Sequence, residues 1–336
     1  MTIDTAVTPS QPTAPFGSVF GPTMSASSFD GAVWTVPEVV ALDTFELHPG
    51  THALHYGSSC FEGLKAHRFP DGRVVPFRLD RHAVRLAGSA ARLHLPQPSA
   101  ELTTQLVEQA VAANADLAPD PPGSLYLRPT LLGTDVTIGA ATAPSRTAVL
   151  YVLACPVGEY LPPHPLTVAV ETELPRTTPQ FGVVKTGANY AMALGPTMVA
   201  RDAVGADQLL FAPGGVLQET GASNVLLLDG ERILTPALTD GYLHGVTRDS
   251  LLRLAHHLGW SVDEREVSVD DLVEWIASPT AELALCGTAA IVGTVATLVV
   301  DGQSHKVGTP GSTPAATELR AALVAIQTGR TSFDWR

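Results

Sequence analysis

Lysine is scarce in this chain: Lys65, Lys185 and Lys306 are the only ones among 20 basic residues, so arginine carries most of the positive charge. A primary amine condenses reversibly with an aldehyde, and burial makes it more nucleophilic. Lys185 stands in GVVKTGANYAMALG, followed by Thr186, Gly187 and Ala188 and then by Asn189 and Tyr190. Small residues let another body approach the backbone, and Tyr190 can place a hydroxyl beside whatever the lysine holds. Taken alone, a lysine ahead of a helix is more often a solvated charge.

Other residues carry complementary chemistry. Glu219 in LQETGASN lies among uncharged residues, a costly place for a carboxylate without a cationic partner. Gly245, Val246 and Thr247 open a helical pattern, and a helix start offers unpaired N–H groups and a positive dipole end, suited to a phosphate. Thr247 read blandly is only a cap. Gly287, Thr288, Ala289 and Ala290 form a second small-residue turn with a hydroxyl. Arg85 sits between apolar neighbours as a candidate anion holder, against the plain alternative of an exposed helix arginine. Tyr126 and Arg128 stand two apart in a β-rich run, so a strand points both to one face as a possible carboxylate grip. Tyr56 and Phe61 flank a turn as cleft-lining or core aromatics. Together these supply what pyridoxal phosphate requires: an amine for its aldehyde, an anion for its ring nitrogen, and N–H groups with a cation for its phosphate.

The elements that must position these groups are legible in outline. At 336 residues, 45% hydrophobic and 16% charged, the chain suits two compact domains, each with its own core. SLYLRPTLLG and AVLYVLACPV read as strands, DGRVVPFRL as a hairpin, and LLLDGERILTP as a second hairpin turning at Asp229-Gly230. Residues 80–93 show helical spacing with Asp80 as a candidate cap, and residues 187–203 show a helical pattern directly after the lysine. VGEYLPPHP, with three prolines, is the expected linker. The expected organisation is a flexible lead-in over 1–25, a small domain over 26–156, a linker over 157–165 and a large cofactor-binding domain over 166–336.

The net charge of −13 speaks against nucleic acid or an anionic membrane as partner. Cys60, Cys155 and Cys286 lie far apart, which favours free thiols in a reducing compartment and gives no metal-ligand spacing. The first residues carry no basic, apolar leader and there is no apolar run long enough to span a bilayer. A cytoplasmic location is expected.

From about residue 30 onward the sequence resembles the class IV aminotransferases, and most closely the branched-chain amino acid aminotransferases, through HYGSSCFEGLKA, SLYLRPT, CPVGEY, KTGANYA, ETGASN, GVTR and CGTA in that order. The resemblance implies fold type IV, with two α/β domains joined by the Pro-rich linker, and pyridoxal phosphate as cofactor. It implies that Lys185 is the Schiff-base lysine and proton shuttle, that Tyr190 bonds the ring hydroxyl, and that Glu219 pairs with the pyridine nitrogen. It places Arg85, Val246, Thr247 and Thr288 at the phosphate. Tyr56, Phe61, Tyr126 and Arg128 match the substrate pocket, with Thr288-Ala289 as the turn that meets the substrate carboxylate. Amino acid and 2-oxo acid substrates, with 2-oxoglutarate as acceptor, and a homodimer are implied as well. Rival readings are a D-amino acid transaminase, an enzyme similar to aminodeoxychorismate lyase, and a non-catalytic family member that only binds.

The sequence departs from the family pattern at PQFG (179–182), where GGTG is usual, at Gly187-Ala188, where a glycine pair is usual, and at Ala222 and Ser223. Ala290 and Gly293 stand where mammalian relatives carry a thiol pair. The first three departures lie near the substrate and point to a smaller, more polar pocket wall, as in a specialised biosynthetic transaminase.

Overall fold

A computed structural model describes residues 15–160, 164–309 and 314–335. The chain forms two compact units, Met1–Tyr160 with Gln327–Thr331, and Leu161–Ile326 with Ser332–Arg336. The division between Tyr160 and Leu161 lies within the Pro-rich segment, of which residues 161–163 fall outside the described residues.

Among the described residues the first unit is built on a seven-stranded sheet. Its centre is the pair Ser124–Gly133 and Ala148–Val157, antiparallel and in register over their whole length. Thr23–Phe29 and Glu38–Ala41 extend one side. Leu64–Arg68 and Val74–Pro76 extend the other, and Ser59–Phe61 pairs with the Ser124–Gly133 strand. Alternating side chains put Leu125, Leu127 and Leu131 into a core shared with Leu64, Leu86, Leu106 and Leu150.

Two helices cover this core, Leu79–Arg92 and Ala100–Ala113. Buried His82, Ala83, Leu86, Ser89 and Ala90 recur at helical spacing on the first. Its start differs from expectation: Asp80 lies in the first turn, and the capping position is Arg78, at φ 51° with no side-chain cap. The left-handed backbone at Arg78 turns the chain into the helix, so the capping position falls two residues before Asp80. The second helix is capped by Ser99, whose hydroxyl accepts from the Leu102 N–H at 3.1 Å.

The lead-in assigned to 1–25 also needs correction. Thr23 already belongs to a strand, and the Phe16 ring meets the Tyr126 ring edge-on at 4.9 Å. Apolar contact with a sheet residue fixes this stretch in place; residues 1–14 lie outside the described residues.

The second unit holds an eight-stranded sheet, in the order Ser261–Arg265, Arg232–Pro236, Asn224–Asp229, Ala281–Gly287, Ile291–Val300, Leu166–Glu171 and Gln208–Phe211, with Gln303–Lys306 paired to Ile291–Val300. It mixes parallel and antiparallel pairs. Leu210, Leu227, Leu283, Leu285 and Leu298 lie in its core. Helices Gly187–Val204 and Val246–His257 begin at the two sequence motifs of most chemical interest. Among the described residues no helix is long and apolar enough to cross a membrane.

Candidate active site

Lys185 sits half-buried two residues before the helix Gly187–Val204. Helical geometry then carries Tyr190 back toward it, and the Lys185 Nζ donates to the Tyr190 hydroxyl oxygen at 2.8 Å. The loop that presents the lysine is locked from beneath by Asn189, which is fully buried. Its Nδ2 donates to the carbonyls of Phe181 and Val184 at 2.9 and 2.8 Å, while its Oδ1 accepts from the Thr177 hydroxyl at 2.8 Å. Gly182, the one glycine kept in PQFG, packs so closely on Gly241 that a Cβ there would overlap the Gly241 carbonyl and the Tyr242 nitrogen.

Glu219 is 2% exposed. Its Oε1 accepts the Leu243 N–H at 2.9 Å, and its Oε2 accepts Nδ2 of Asn224 at 3.2 Å. The cationic partner that a buried carboxylate requires is Arg176, whose Nη1 lies 2.9 Å from Oε1. Arg176 also donates to the Gly221 carbonyl from Nη2 at 3.1 Å, and its guanidinium carbon lies 5.6 Å from the centre of the Tyr190 ring. Lys185, Tyr190, Arg176 and Glu219 therefore form one contiguous set.

The same set reaches the two small-residue turns. Asn224 Nδ2 donates to the Leu243 carbonyl at 2.9 Å, tying Glu219 to the loop that leads into the helix Val246–His257. The capping position of that helix is Gly245, so Val246 and Thr247 are its first two residues, both buried. Asn224 faces Cys286 in the sheet register, which brings the Gly287–Ala290 turn alongside Ser223. Ile291 closes this turn at φ 65°, a conformation that β-branched residues avoid.

In the first unit, Phe61, Tyr126 and Arg128 lie together. Arg128 Nη2 donates to the Tyr126 hydroxyl at 2.8 Å, and its guanidinium carbon lies 4.6 Å from the centre of the Phe61 ring. Lys65 is opposite Tyr126 in the sheet and is buried. Tyr56 makes its described contacts elsewhere: its hydroxyl donates to the Ile138 carbonyl at 2.5 Å, and its ring lies 4.9 Å from that of His52.

Arg85 does hold an anion, but the anion it meets is Glu62 of the FEGLKA motif. Nε donates to Oε1 at 2.6 Å and Nη2 to Oε2 at 2.8 Å, and His82 Nδ1 lies 2.7 Å from Oε2. Burial pushes the Glu62 carboxyl up, yet the Arg85 charge and hydrogen bonds, followed by those of His82, overcome it and hold the group far below the usual carboxylate range.

Several residues at these sites were not singled out from sequence. Arg176, Asn224 and Glu62 were missed because each acts through a partner that only the fold brings close. Phe16 and Tyr160 were missed too: their rings meet at 5.1 Å and border a cavity of about 160 Å³ with Val157. An arginine nine residues before the lysine, and an asparagine five after the glutamate, were the available signals.

The donor set fits pyridoxal phosphate: an amine beside a phenol, a buried ion-paired carboxylate, and a helix start joined to that carboxylate through one asparagine. On a mixed α/β fold these define an enzyme of the pyridoxal phosphate class. Comparison with known proteins agrees. Residues 59–296 match the family model for amino-transferase class IV. Branched-chain-amino-acid aminotransferase 6 of Arabidopsis thaliana is 36% identical over 89% of this chain and 83% of its own length. A probable branched-chain-amino-acid aminotransferase of Streptomyces coelicolor is 35% identical over 89% and 84%. Among solved structures, a T.th. branched-chain amino acid aminotransferase with pyridoxamine 5'-phosphate superposes with a TM-score of 0.77 at 26% identity, covering 94% of this chain and 97% of that one. The Escherichia coli branched-chain amino acid aminotransferase gives 0.75 at 28% identity, covering 89% and 95%. The chain belongs to the class IV aminotransferases, in the branched-chain aminotransferase family, with fold type IV and pyridoxal phosphate as cofactor.

Proposed function

We propose that this aminotransferase moves the amino group between an L-amino acid with a branched aliphatic side chain and 2-oxoglutarate, as a cytoplasmic homodimer. The observation that carries the chemistry is the contact between Lys185 Nζ and the Tyr190 hydroxyl at 2.8 Å, next to the Glu219–Arg176 ion pair. The substrate class is supported by the names of the relatives and by the Phe61–Arg128–Tyr126 face, which offers an apolar ring beside a cation and a hydroxyl. The domain limits expected from sequence are kept as a small domain to 156 and a large one from 166.

Bound pyridoxal phosphate supplies an aldehyde that captures amines and a ring that accepts electrons. Lys185 would hold that aldehyde and would serve as the base whose Nζ carries a proton between the substrate Cα and the cofactor C4′. The Tyr190 hydroxyl directs Nζ. Glu219 accepts the hydrogen bond of the ring nitrogen and favours its protonated form. Val246 and Thr247 offer the start of a helix to the phosphate, with Thr288 and Arg85 assigned there by family resemblance. Thr288 and Ala289 meet the substrate carboxylate, and Arg128 with Tyr126 and Phe61 grips the remainder, with Tyr56 as a further wall.

Ala222 and Ser223 favour a second reading, a specialised side chain, because the Ser223 hydroxyl stands close to Gly287 at the start of the Gly287–Ala290 turn. A panel of amino donors assayed with 2-oxoglutarate tests both. Leucine, isoleucine and valine as the best donors support the first reading, and a polar or unusual donor supports the second. Pyruvate release without any amino acceptor would overturn both in favour of a lyase.

A further inference from the structure

Glu219 receives two kinds of support, and they come from different residues. Direction comes from hydrogen bonds: the Leu243 N–H to Oε1 at 2.9 Å and Asn224 Nδ2 to Oε2 at 3.2 Å. Charge comes from Arg176, which is 2% exposed. Its Nη1 approaches Oε1 to 2.9 Å yet makes no hydrogen bond, so the contact is an ion pair without the angle of a directional bond. The guanidinium plane is fixed elsewhere, by the Gly221 carbonyl at 3.1 Å and the Tyr190 ring at 5.6 Å. A charge this close, away from water, bears on where a proton rests.

We propose that Arg176 is a positioning residue for the proton on the cofactor ring nitrogen, acting through Glu219. The inference rests on the reading of Glu219 as the partner of that nitrogen. A proton shared between a ring nitrogen and a carboxylate can lie on either. Arg176 is adjacent to the carboxylate, so it stabilises the carboxylate anion more than it opposes the pyridinium. The proton is kept on nitrogen, where the ring takes up electrons best. A neutral residue at 176 leaves Glu219 a stronger base, and the proton moves toward Oε1 or Oε2. No oxidant, reductant or further reactant is involved, and only the resting place of one proton changes.

The test uses holoenzyme reconstituted with pyridoxal phosphate labelled with ¹⁵N in the ring, as wild type, Arg176→Lys and Arg176→Gln. Wild type and Arg176→Lys are expected to show a pyridinium signal. Arg176→Gln is expected to shift toward neutral pyridine and to slow exchange of the substrate α-proton with solvent about tenfold or more, the change that one pKa unit represents. An unshifted Arg176→Gln signal would overturn the proposal. So would equal loss in the Lys and Gln variants, which marks Arg176 as packing only. Should Arg176→Gln not fold, Arg176→Lys decides: its ammonium keeps the charge and loses the planar contacts, so a neutral-pyridine signal there overturns the proposal and a pyridinium signal supports it. A wild type that carries no cofactor on Lys185 refutes the underlying site reading instead, and a wild type with a neutral ring refutes the role of Glu219.

Discussion

The hydroxyl of Tyr126 occupies the space that a Cβ at Gly63 would fill. Gly63 belongs to the FEGLKA motif, immediately before the strand Leu64–Arg68, and Tyr126 lies on the neighbouring strand Ser124–Gly133. The glycine thus seats a phenol that also accepts from Arg128 at 2.8 Å. Gly63→Ala is expected to displace the hydroxyl and break the bond to Arg128. A hydrogen bond to a charged group contributes about 1.5–3 kcal/mol, so kcat/KM should fall roughly 10- to 100-fold. Steady-state kinetics beside those of Tyr126→Phe check this, and an unchanged kcat/KM in both variants would remove Tyr126 from the substrate face.

Glu62 gives a pH-dependent stability with a definite sign. Its carboxyl is held far below the ordinary value of 4.5 in the folded protein, against burial, by Arg85 and then His82. The stabilisation is therefore fully present above about pH 4.5, the unfolded value, and is lost as the pH falls toward the folded value. Glu62→Gln removes the buried carboxylate that holds the partly buried Arg85, and breaking such a pair costs up to about 3–5 kcal/mol. Thermal melts of wild type and Glu62→Gln should differ most at pH 7, and the gap should narrow below pH 4.5. A gap independent of pH would mean that packing, not charge, holds the cluster.

Gly182 explains why one glycine survives in PQFG. Any side chain there collides with the Gly241 carbonyl and the Tyr242 nitrogen, which are backbone and cannot rotate away. Gly182→Ala should cost about 1–3 kcal/mol as overpacking and should loosen the loop that carries Lys185. Lower thermal stability together with weaker cofactor retention, followed by absorbance during dialysis, is the expected result. Full retention with an unchanged melting temperature would show that the loop is free to shift.

Much of the frame was legible because it depends on local patterning. Strands Ser124–Gly133 and Ala148–Val157 alternate cleanly, and the Asp229-Gly230 turn marks its own hairpin. Lys185, Tyr190 and Glu219 stood out because their chemistry is costly or rare where they stand. Pairings between distant segments were not legible. Arg85 and Glu62 are both visible in the sequence, but only the packing of a helix against the sheet edge makes them one ion pair. Arg176 looks like any loop arginine until the fold buries it against Glu219. Tyr56 and Phe61 are near in the chain, and between them Gly57, at φ 64°, ends the short helix His52–Tyr56. Phe16 was read as lead-in because Pro, Ser and Thr around it suggested flexibility, while one apolar ring settles its place.

Borohydride reduction of the holoenzyme, followed by peptide mapping, asks where the cofactor is attached. Lys65 is buried opposite Tyr126, and Lys306 is an exposed residue 3.3 Å from the Thr297 hydroxyl, so all three lysines can be told apart by their peptides. The reduced adduct is expected on Lys185 alone, with Lys185→Ala giving a protein that neither forms the adduct nor transaminates. An adduct on Lys65 or Lys306, or none at all, would contradict the assignment.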